Sequence, residues 1–341
     1  KQLESFNVKI LSPFSDYSNN RCDIRMKCLK CESIFIRKRF SNEHSDDLKH
    51  ICPTCHTPKA SQAQHEIVDF VRSLGVKCRV NDRTILKPYE IDIFIPEFNI
   101  GIEYDGLYWH SEKGRPDVKA NLAAKMKIIN SSGVKVIFIN EYEWKFQKEK
   151  IKSRLSSALG KTSKIFARKC SIHPVDKDYA HKFFNNNHIQ GSVGLNCCFG
   201  LYLNGKLVAA MSFGKPRFSK HDFEILRFCS ILDTTVVGAA SKIFKHFIKI
   251  NPGASIISYA DLRWGAGNVY DKMGMTFAGT TGMSYFYVSK SGSISNRSTH
   301  QKHKLKHLPN FDISKTEKQI MEENGFSRFW TPGNSKWVFN V

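Results

Sequence analysis

The sequence predicts an α/β multidomain protein, and three observations support this class. The 341 residues are 41% hydrophobic, which is enough for two or three packed cores. From residue 61 onward, segments with helical periodicity alternate with segments of strand-like alternation. Ahead of them stand two Cys-x-x-Cys pairs, a spacing typical of a small metal-stabilised module. We therefore expect several separately packed domains.

The charge of the chain indicates its class of partner. The formal net charge is +21, which favours a polyanion, and we expect double-stranded DNA. No run of apolar residues reaches the length of a membrane span, and the first twenty residues mix charged and polar types. The prediction is thus a cytoplasmic protein, in a bacterium or a phage-infected host cell, with no membrane partner and no obligate protein partner.

The two cysteine pairs predict a structural zinc site within residues 21–60. The four thiolates are Cys28, Cys31, Cys52 and Cys55, and twenty residues separate the pairs. Such spacing lets two short turns close a tetrahedral Zn²⁺ site in a treble-clef-like module, for which roughly 10–16 kcal/mol of metal binding would supply the folding energy. Two alternatives stay open, a ligand exchanged for a nearby Cys or His and cysteines that are merely buried or redox-active.

Basic residues around this module are candidate DNA contacts. Arg37, Lys38 and Arg39 follow one another closely after the first cysteine pair. Guanidinium and ammonium groups commonly bind phosphate oxygens. An ordinary solvated basic face is the alternative.

The next segment, residues 61–150, has an α/β plan with a group of carboxylates. An amphipathic helix begins near Ser61 and ends at Gly75, and two strand-like runs follow over residues 90–95 and 100–105. A helix over residues 118–130 and a strand over residues 134–139 complete it. If the chain turns between the two strand-like runs, four carboxylates lie on one face of a two-stranded ribbon: Glu90, Asp92, Glu103 and Asp105.

Carboxylates this close repel one another, so their arrangement predicts a cation between them. Oxygen ligands suit Mg²⁺, for which Mn²⁺ can substitute, and we assign Asp92, Glu103 and Asp105 as its ligands. A metal held in this way polarises a phosphodiester and acidifies a water molecule. His110 would relay a proton and Lys125 would stabilise charge on the phosphate. A solvated acidic face paired with lysines is the alternative.

The run from Glu90 to Trp144 resembles phage homing endonucleases related to the very short patch repair endonuclease. This group, named after its E-D-x-H-D residues, is a branch of the PD-(D/E)xK nuclease fold. The resemblance implies a site-specific, metal-dependent DNA endonuclease. By this resemblance the catalytic residues would be Glu66, Asp92, Asp105 and His110, and Lys125 joins them as the cation that would stabilise charge on the phosphate. The chain departs from the family in having Lys125 within the stretch where the last acid falls, and in lacking an E-x-K triplet after Asp92.

A Lys-rich stretch over residues 145–164 predicts a basic helix and a linker, and we assign residues 151–164 as the basic linker to a C-terminal domain over residues 165–341. This domain has two strands joined by a turn at Asn204 and Gly205, and a helix over residues 239–250 that begins in a glycine-containing loop. It resembles a GNAT-type acetyltransferase fold, with Thr235 where that family carries Arg or Gln. We expect it to recognise DNA, with phosphate contacts from Lys215, Arg217 and Arg263.

The prediction for the whole chain is therefore a phage homing endonuclease with a 20-residue N-terminal segment and the domains given above. Two alternatives remain, an acetyltransferase tethered to DNA and a DNA-binding protein with a decayed nuclease centre. Acetyl-CoA binding would favour the first of these. An absence of divalent-metal binding would favour the second.

Overall fold

The computed structural model describes residues 7–13, 15, 23–30, 32–38, 52 and 61–340. The chain divides into two compact units, residues 1–101 and residues 102–341. The unit boundary and the domain limits predicted from the sequence are different divisions, and those limits stay a prediction. Each unit is described by itself.

The described part of the first unit contains a small antiparallel sheet, a helix and a strand pair. The small sheet has the order β1-β2-β3, and strand β4 is antiparallel to β5. The elements are β1 (Val8–Ile10), β2 (Asp23–Cys28), β3 (Ile34–Lys38), α1 (Gln62–Ser73), β4 (Arg79–Asp82) and β5 (Ile91–Ile95). Helix α1 starts where the sequence predicts, because the Ser61 side chain accepts from the Gln64 amide and the Gln64 side chain accepts from the Ser61 amide.

The second unit begins with a strand–helix–strand segment followed by two helices. These are β6 (Ile100–Asp105), which crosses the unit boundary, α2 (Val118–Ser132), β7 (Lys135–Asn140), α3 (Glu141–Phe146) and α4 (Lys148–Ala158). Strand β6 pairs with β7. Helix α3 begins at a side-chain cap, since Asn140 accepts from the Glu143 amide at 2.8 Å.

A seven-stranded sheet dominates the second unit. Its strands are β9 (Ser171–Pro174), β10 (Cys197–Leu203), β11 (Lys206–Gly214), β12 (Phe223–Ser230), β14 (Ile256–Asp261), β15 (Thr276–Thr280) and β19 (Asn334–Phe339). They lie in the order β15-β19-β14-β12-β11-β10-β9. Neighbouring strands are antiparallel except β12 and β14, which are parallel. The connection between these two contains a short strand, β13 (Thr234–Val237), and helix α6 (Ala239–Ile250).

Two helices cover the faces of this sheet. Helix α6 packs on one face, where Phe247 stacks on Phe213 with ring centroids 3.6 Å apart. Helix α5 (Lys177–Asn187) packs on the other face through Phe184, which is fully buried. Strand β8 (Ser163–Phe166) runs parallel to β13 beside the start of α6. The sheet is therefore the core of this unit.

An insertion between β15 and β19 forms a second, three-stranded antiparallel sheet of order β17-β16-β18. Its strands are β16 (Ser284–Val288), β17 (Ile294–Asn296) and β18 (Ser327–Thr331). Two further helices belong to the unit, α7 (Asn268–Asp271) and α8 (Glu317–Glu323). The insertion packs on the segment after β6, because Leu107 lies in one buried cluster with Val288 and Phe329.

The helices and strands predicted from the sequence agree with the structure within two residues. The turn at Asn204 and Gly205 is confirmed, and both residues have the positive φ that such a hairpin requires. The difference is in the basic stretch predicted as a linker, which contains the end of helix α4 and contributes the buried Leu155 to the unit. Within the described ranges, no helix combines the length and apolar character needed to cross a membrane.

Candidate functional site

The carboxylates of β6 lie inside the second unit and are paired with a lysine and a histidine of the same chain. Glu103 and Asp105 are buried, at 5% and 8% exposure. The Lys125 ammonium lies 2.7 Å from Glu103 Oε2, and His110 Nδ1 lies 3.0 Å from Asp105 Oδ1. A fifth residue, Glu141, accepts a hydrogen bond from the Leu107 amide at the end of this strand. Lys125 and His110 thus bind the two carboxylates that were expected to bind a metal ion.

The other acids predicted for the site belong to the first unit. Glu66 accepts from the Gln62 side chain one turn earlier in helix α1, at 3.4 Å. Asp92 lies on β5 between two fully buried isoleucines, as strand alternation predicts, and Glu90 is paired with Arg83 at 2.6 Å. The face-to-face placement of these acids with those of β6 stays a prediction.

The prediction of metal cofactors must be corrected. Among the described residues, no group of three or more His, Cys, Asp or Glu side chains is placed to hold a metal ion. For Mg²⁺ the reason is the pairing of Glu103 with Lys125 and of Asp105 with His110. For Zn²⁺, Cys28 and Cys52 are buried together, whereas Cys31 and Cys55 fall outside the described residues. The prediction of both metals is wrong for the part of the chain that is described.

The predicted DNA contacts lie in different environments. Arg37 and Lys38 belong to β3, and Arg39 is outside the described residues. Lys215 and Arg217 are exposed in the loop between β11 and β12. The prediction of Arg263 as a DNA contact must be corrected, because Arg263 is only 6% exposed and donates to two carboxylates of its own chain. Its guanidinium is engaged inside the protein.

A fork between β12 and β14 is the most distinctive feature of the seven-stranded sheet. The parallel pairing covers only three positions and ends at Ile225 opposite Ser258. Beyond this point β12 stays paired with β11 as far as Ser230, and β14 stays paired with β19 as far as Asp261. The strands therefore part, and their backbone edges open between them. A β-bulge starts the divergence, since Leu226 is skipped in the β11–β12 register.

An acid and a phenol lie at the base of this fork. Glu224, on β12, is only 9% exposed, and burial raises the pKa of its carboxyl. Burial also raises the pKa of the Tyr270 phenol, although a hydrogen bond with Ser258 and the charge on Arg227 oppose the rise. The charge on Glu224 acts on Tyr270 as well. At neutral pH the phenol therefore carries its proton, close to a carboxylate that binds protons more readily than usual.

A guanidinium cluster lies beside the acid and the phenol. Arg263 donates from Nη1 to Glu143 Oε1 at 2.9 Å and from Nη2 to Asp261 Oδ2 at 2.8 Å. Arg154, on α4, lies over the Trp264 ring at 4.5 Å. Burial lowers the pKa of Arg154, and the charge on Asp261 opposes this change. Helices α3 and α4, the tail of β14 and the following turn thus meet at the fork.

A neutral histidine closes the fork on the side of α5. Burial lowers the pKa of His188 well below its ordinary value, and the charges on Arg227 and Arg154 lower it further. His188 Nδ1 accepts from the Gln190 amide at 3.1 Å, so the neutral ring carries its proton on Nε2. Arg227 donates to the Gly191 carbonyl at 2.9 Å and ties the same loop to β12. His188 is consequently a hydrogen-bond donor here and not a base.

Sequence reasoning missed Glu224 and Arg154 as site residues. Glu224 had a usable signal, since it is an acid between the apolar Phe223 and Ile225 in a strand, where a buried carboxylate needs an explanation. Arg154 had none, because it is one cation among many in a Lys-rich stretch. Tyr270 and Asp261 fall inside the segment that resembles GNAT proteins, but the sequence assigned neither a role.

Comparison with known proteins gives structural likeness only. No family model and no curated protein matches the sequence. A ribosomal-protein-S18-alanine N-acetyltransferase from Escherichia coli is similar at 10% identity and a TM-score of 0.30, over 50% of this chain and 94% of that one. A Bacillus subtilis acetyltransferase in complex with CoA has 11% identity and a TM-score of 0.27, over 51% and 99%. An N-acetyltransferase from Staphylococcus aureus has 10% identity and a TM-score of 0.25, over 50% and 97%.

The prediction of a DNA endonuclease is therefore wrong. The similar structures named above are N-acetyltransferases, and their likeness covers half of the chain. The physical reason for this correction lies in the contacts. The β6 carboxylates are held by Lys125 and His110, and the described residues contain no metal-holding group. A mixed α/β architecture is what remains of the predicted fold.

Proposed function

We propose that the fork of the second unit is the active site of a GNAT-type N-acyltransferase that uses an acyl-CoA. The observation that carries this proposal is the divergence of β12 and β14 with Glu224 and Tyr270 at its base. A gap between parallel strands exposes backbone N–H and C=O groups along which an extended thioester arm can bind. A base and an acid beside such a gap are what acyl transfer to an amine requires.

The residues at the start of α6 fit the phosphates of CoA in part. Gly238 precedes the helix with a φ of 80°, and no described side chain caps the first turn, which consists of small residues. Main-chain N–H groups in such a turn bind phosphate oxygens. Thr235 stands where the family has Arg or Gln, and its hydroxyl is hydrogen-bonded to the Thr162 hydroxyl at 2.7 Å. We therefore expect binding through backbone amides and a modest affinity for CoA.

Each proton in the proposed reaction has an assigned group. Acyl-CoA supplies an activated acyl thioester. Glu224 accepts the proton that the amine loses as its nitrogen bonds to the acyl carbon. Tyr270 gives its phenolic proton to the sulfur as the carbon–sulfur bond breaks. Solvent then returns the proton from Glu224 to Tyr270, so the site is unchanged after each turnover.

Tyr270→Phe should lower the rate of acyl transfer by about 10²-fold while leaving CoA binding intact, because only the proton donor is removed. Thiol release from acetyl-CoA in the presence of amines, and the mass of the acylated amine, measure the rate. Calorimetry measures CoA binding. The matched control is Tyr202→Phe, on strand β10 and outside the fork, which should transfer at the wild-type rate. Full activity of Tyr270→Phe, or no CoA binding by the wild-type protein, would contradict the proposal.

We also propose double-stranded DNA as a partner, supported by the loop between β11 and β12. This loop exposes Lys215, Lys220 and the aromatic ring of Phe218, which is 86% exposed. The double variant Lys215→Gln/Lys220→Gln should reduce the slope of log Kd against log salt by about 2 in a duplex-binding assay, since two phosphate contacts are lost. Lys245→Gln/Lys249→Gln, on helix α6, is the matched control. Equal slopes for both double variants would rule this loop out.

A further inference from the structure

One cationic side chain at the fork, Arg154, makes no direct hydrogen bond to an acceptor among the described residues. Arg263 takes both nearby carboxylates, Glu143 and Asp261, in direct ion pairs. Arg154 lies on the face of Trp264, and the charges of Asp261 and Glu143 act on it, yet it donates no hydrogen bond to any residue the structure describes. A desolvated guanidinium is costly unless an anion binds it. Arg154 is therefore available to an anion from outside the chain.

A second donor in the same place points the same way. The Trp264 side chain is 7% exposed, and its indole Nε1 is buried with no acceptor among the described residues. Indole N–H groups usually find a partner when they are buried. The stacked pair of Arg154 and Trp264 thus combines a guanidinium edge with an unsatisfied N–H. Both would be satisfied by the oxygens of one anion.

Further positive charge lies around this pair. Lys135, at the start of β7, is exposed, and its pKa is lowered by partial burial of the ammonium and by the charge on Arg154. A surface pocket of about 330 Å³ is lined by residues 145–150, which precede Arg154 in the sequence. Three of its lining residues are lysines: Lys145, Lys148 and Lys150. Lys150 contributes to the positive potential at His188. The segment before Arg154 is therefore rich in positive charge, which favours anions near it.

We infer that the acceptor of the proposed acyl transfer is a small amine that carries an oxyanion, a carboxylate or a phosphate, and that Arg154 binds this oxyanion. A guanidinium with one face on an aromatic ring keeps its N–H edge available for the two oxygens of such a group. The charge on Arg154 also acts on the Tyr270 phenol, the proton donor of the proposed reaction. That the bound amine is an acyl acceptor rests on the proposed function, whereas the oxyanion site rests on the contacts of Arg154 and Trp264.

Binding measurements on the wild-type protein test the site without any turnover. Two ligand pairs share an amine and differ in the oxyanion: glycine against glycinamide, and phosphoethanolamine against ethanolamine. Calorimetry in 0.15 M salt should show binding of at least one anionic member and at least tenfold weaker binding of its neutral partner. A preference in the first pair identifies a carboxylate, and a preference in the second identifies a phosphate. No preference in either pair overturns the inference.

The variant Arg154→Gln should raise the Kd of the preferred ligand by about 10- to 100-fold, because a charge-assisted pair is lost. The matched control is Arg297→Gln, an exposed arginine of the insertion, which should bind like the wild type. If Arg154→Gln does not fold, the wild-type ligand pairs still decide. Oxyanion binding without acyl transfer would reject the proposed function and keep this site. Equal acylation of neutral and anionic amines would keep the function and reject the site.

Discussion

Replacing Arg263 by methionine is expected to lower the free energy of unfolding by about 3–5 kcal/mol at pH 8, because it breaks two buried ion pairs at once. The guanidinium is 6% exposed and lies 2.9 Å from Glu143 and 2.8 Å from Asp261. Methionine fills a similar volume, so the loss is mainly electrostatic. Two carboxylates would remain beside the fork without their direct cationic partner.

The size of this effect should depend on pH. Burial raises the pKa of Glu143 in the folded protein, and the charge on Arg263 opposes the rise. Without Arg263, the folded-state pKa moves further above that of the unfolded chain. The stability that such a group contributes is fully present below its unfolded pKa and is lost as the pH rises through its folded-state pKa. The difference between variant and wild type should therefore be smaller at pH 5 than at pH 8.

Urea unfolding at both pH values measures this difference. Arg297→Met is the matched control, since that arginine is 60% exposed in its side chain and lies 3.9 Å from Glu317. An exposed pair of this kind contributes about 0–1 kcal/mol. An equally small change in Arg263→Met would mean that the buried ion pairs do not hold the fork together. Loss of stability that is constant with pH would exclude Glu143 as the source.

Gly267→Ala is expected to destabilise the second unit by about 2–5 kcal/mol, from backbone strain and overpacking together. Gly267 has a φ of 96°, which an alanine adopts only with strain. A Cβ at this position would lie 2.5 Å from Trp337 Nε1, and this ring cannot easily move because it donates to the Ala266 carbonyl and to Ser335. The change should also displace Tyr270, three residues later.

The matched control for this change is Gly253→Ala. Gly253 has a φ of 78°, but an added Cβ would meet nothing within 4 Å. Its replacement should cost only the backbone strain, about 1–2 kcal/mol. Thermal unfolding and the rate of acyl transfer measure both variants. Equal losses of stability in the two would show that Trp337 yields to the extra methyl group, and would remove packing as the reason for glycine at 267.

Local pattern predicted much of the secondary structure. The spacing of apolar residues and the Ser61 cap place helix α1, and the turn at Asn204 and Gly205 places the hairpin of β10 and β11. These features depend on neighbours within a few residues, so the sequence carries them directly. The strand alternation around Asp92 is correct for the same reason, with Ile91 and Ile93 fully buried.

The wrong predictions concern which side chains become partners in the folded chain. A row of acids such as Glu103 and Asp105 is consistent with a metal site or with ion pairs. The choice depends on where the ammonium of Lys125 and the imidazole of His110 come to lie. Arg263 is a similar case, since nothing beside it in the sequence shows that Glu143, 120 residues earlier, will bind it.

The sequence by itself therefore determined the alternation of helices and strands, the basic character of the chain and the glycine-containing entry to helix α6. Only the tertiary structure decided that β12 and β14 part after three paired positions and that Glu224, Tyr270 and Arg154 meet where they do. The physical reason is range. Periodicity and turn chemistry act between near neighbours, whereas charge pairing and burial depend on distances that exist only after the chain has folded.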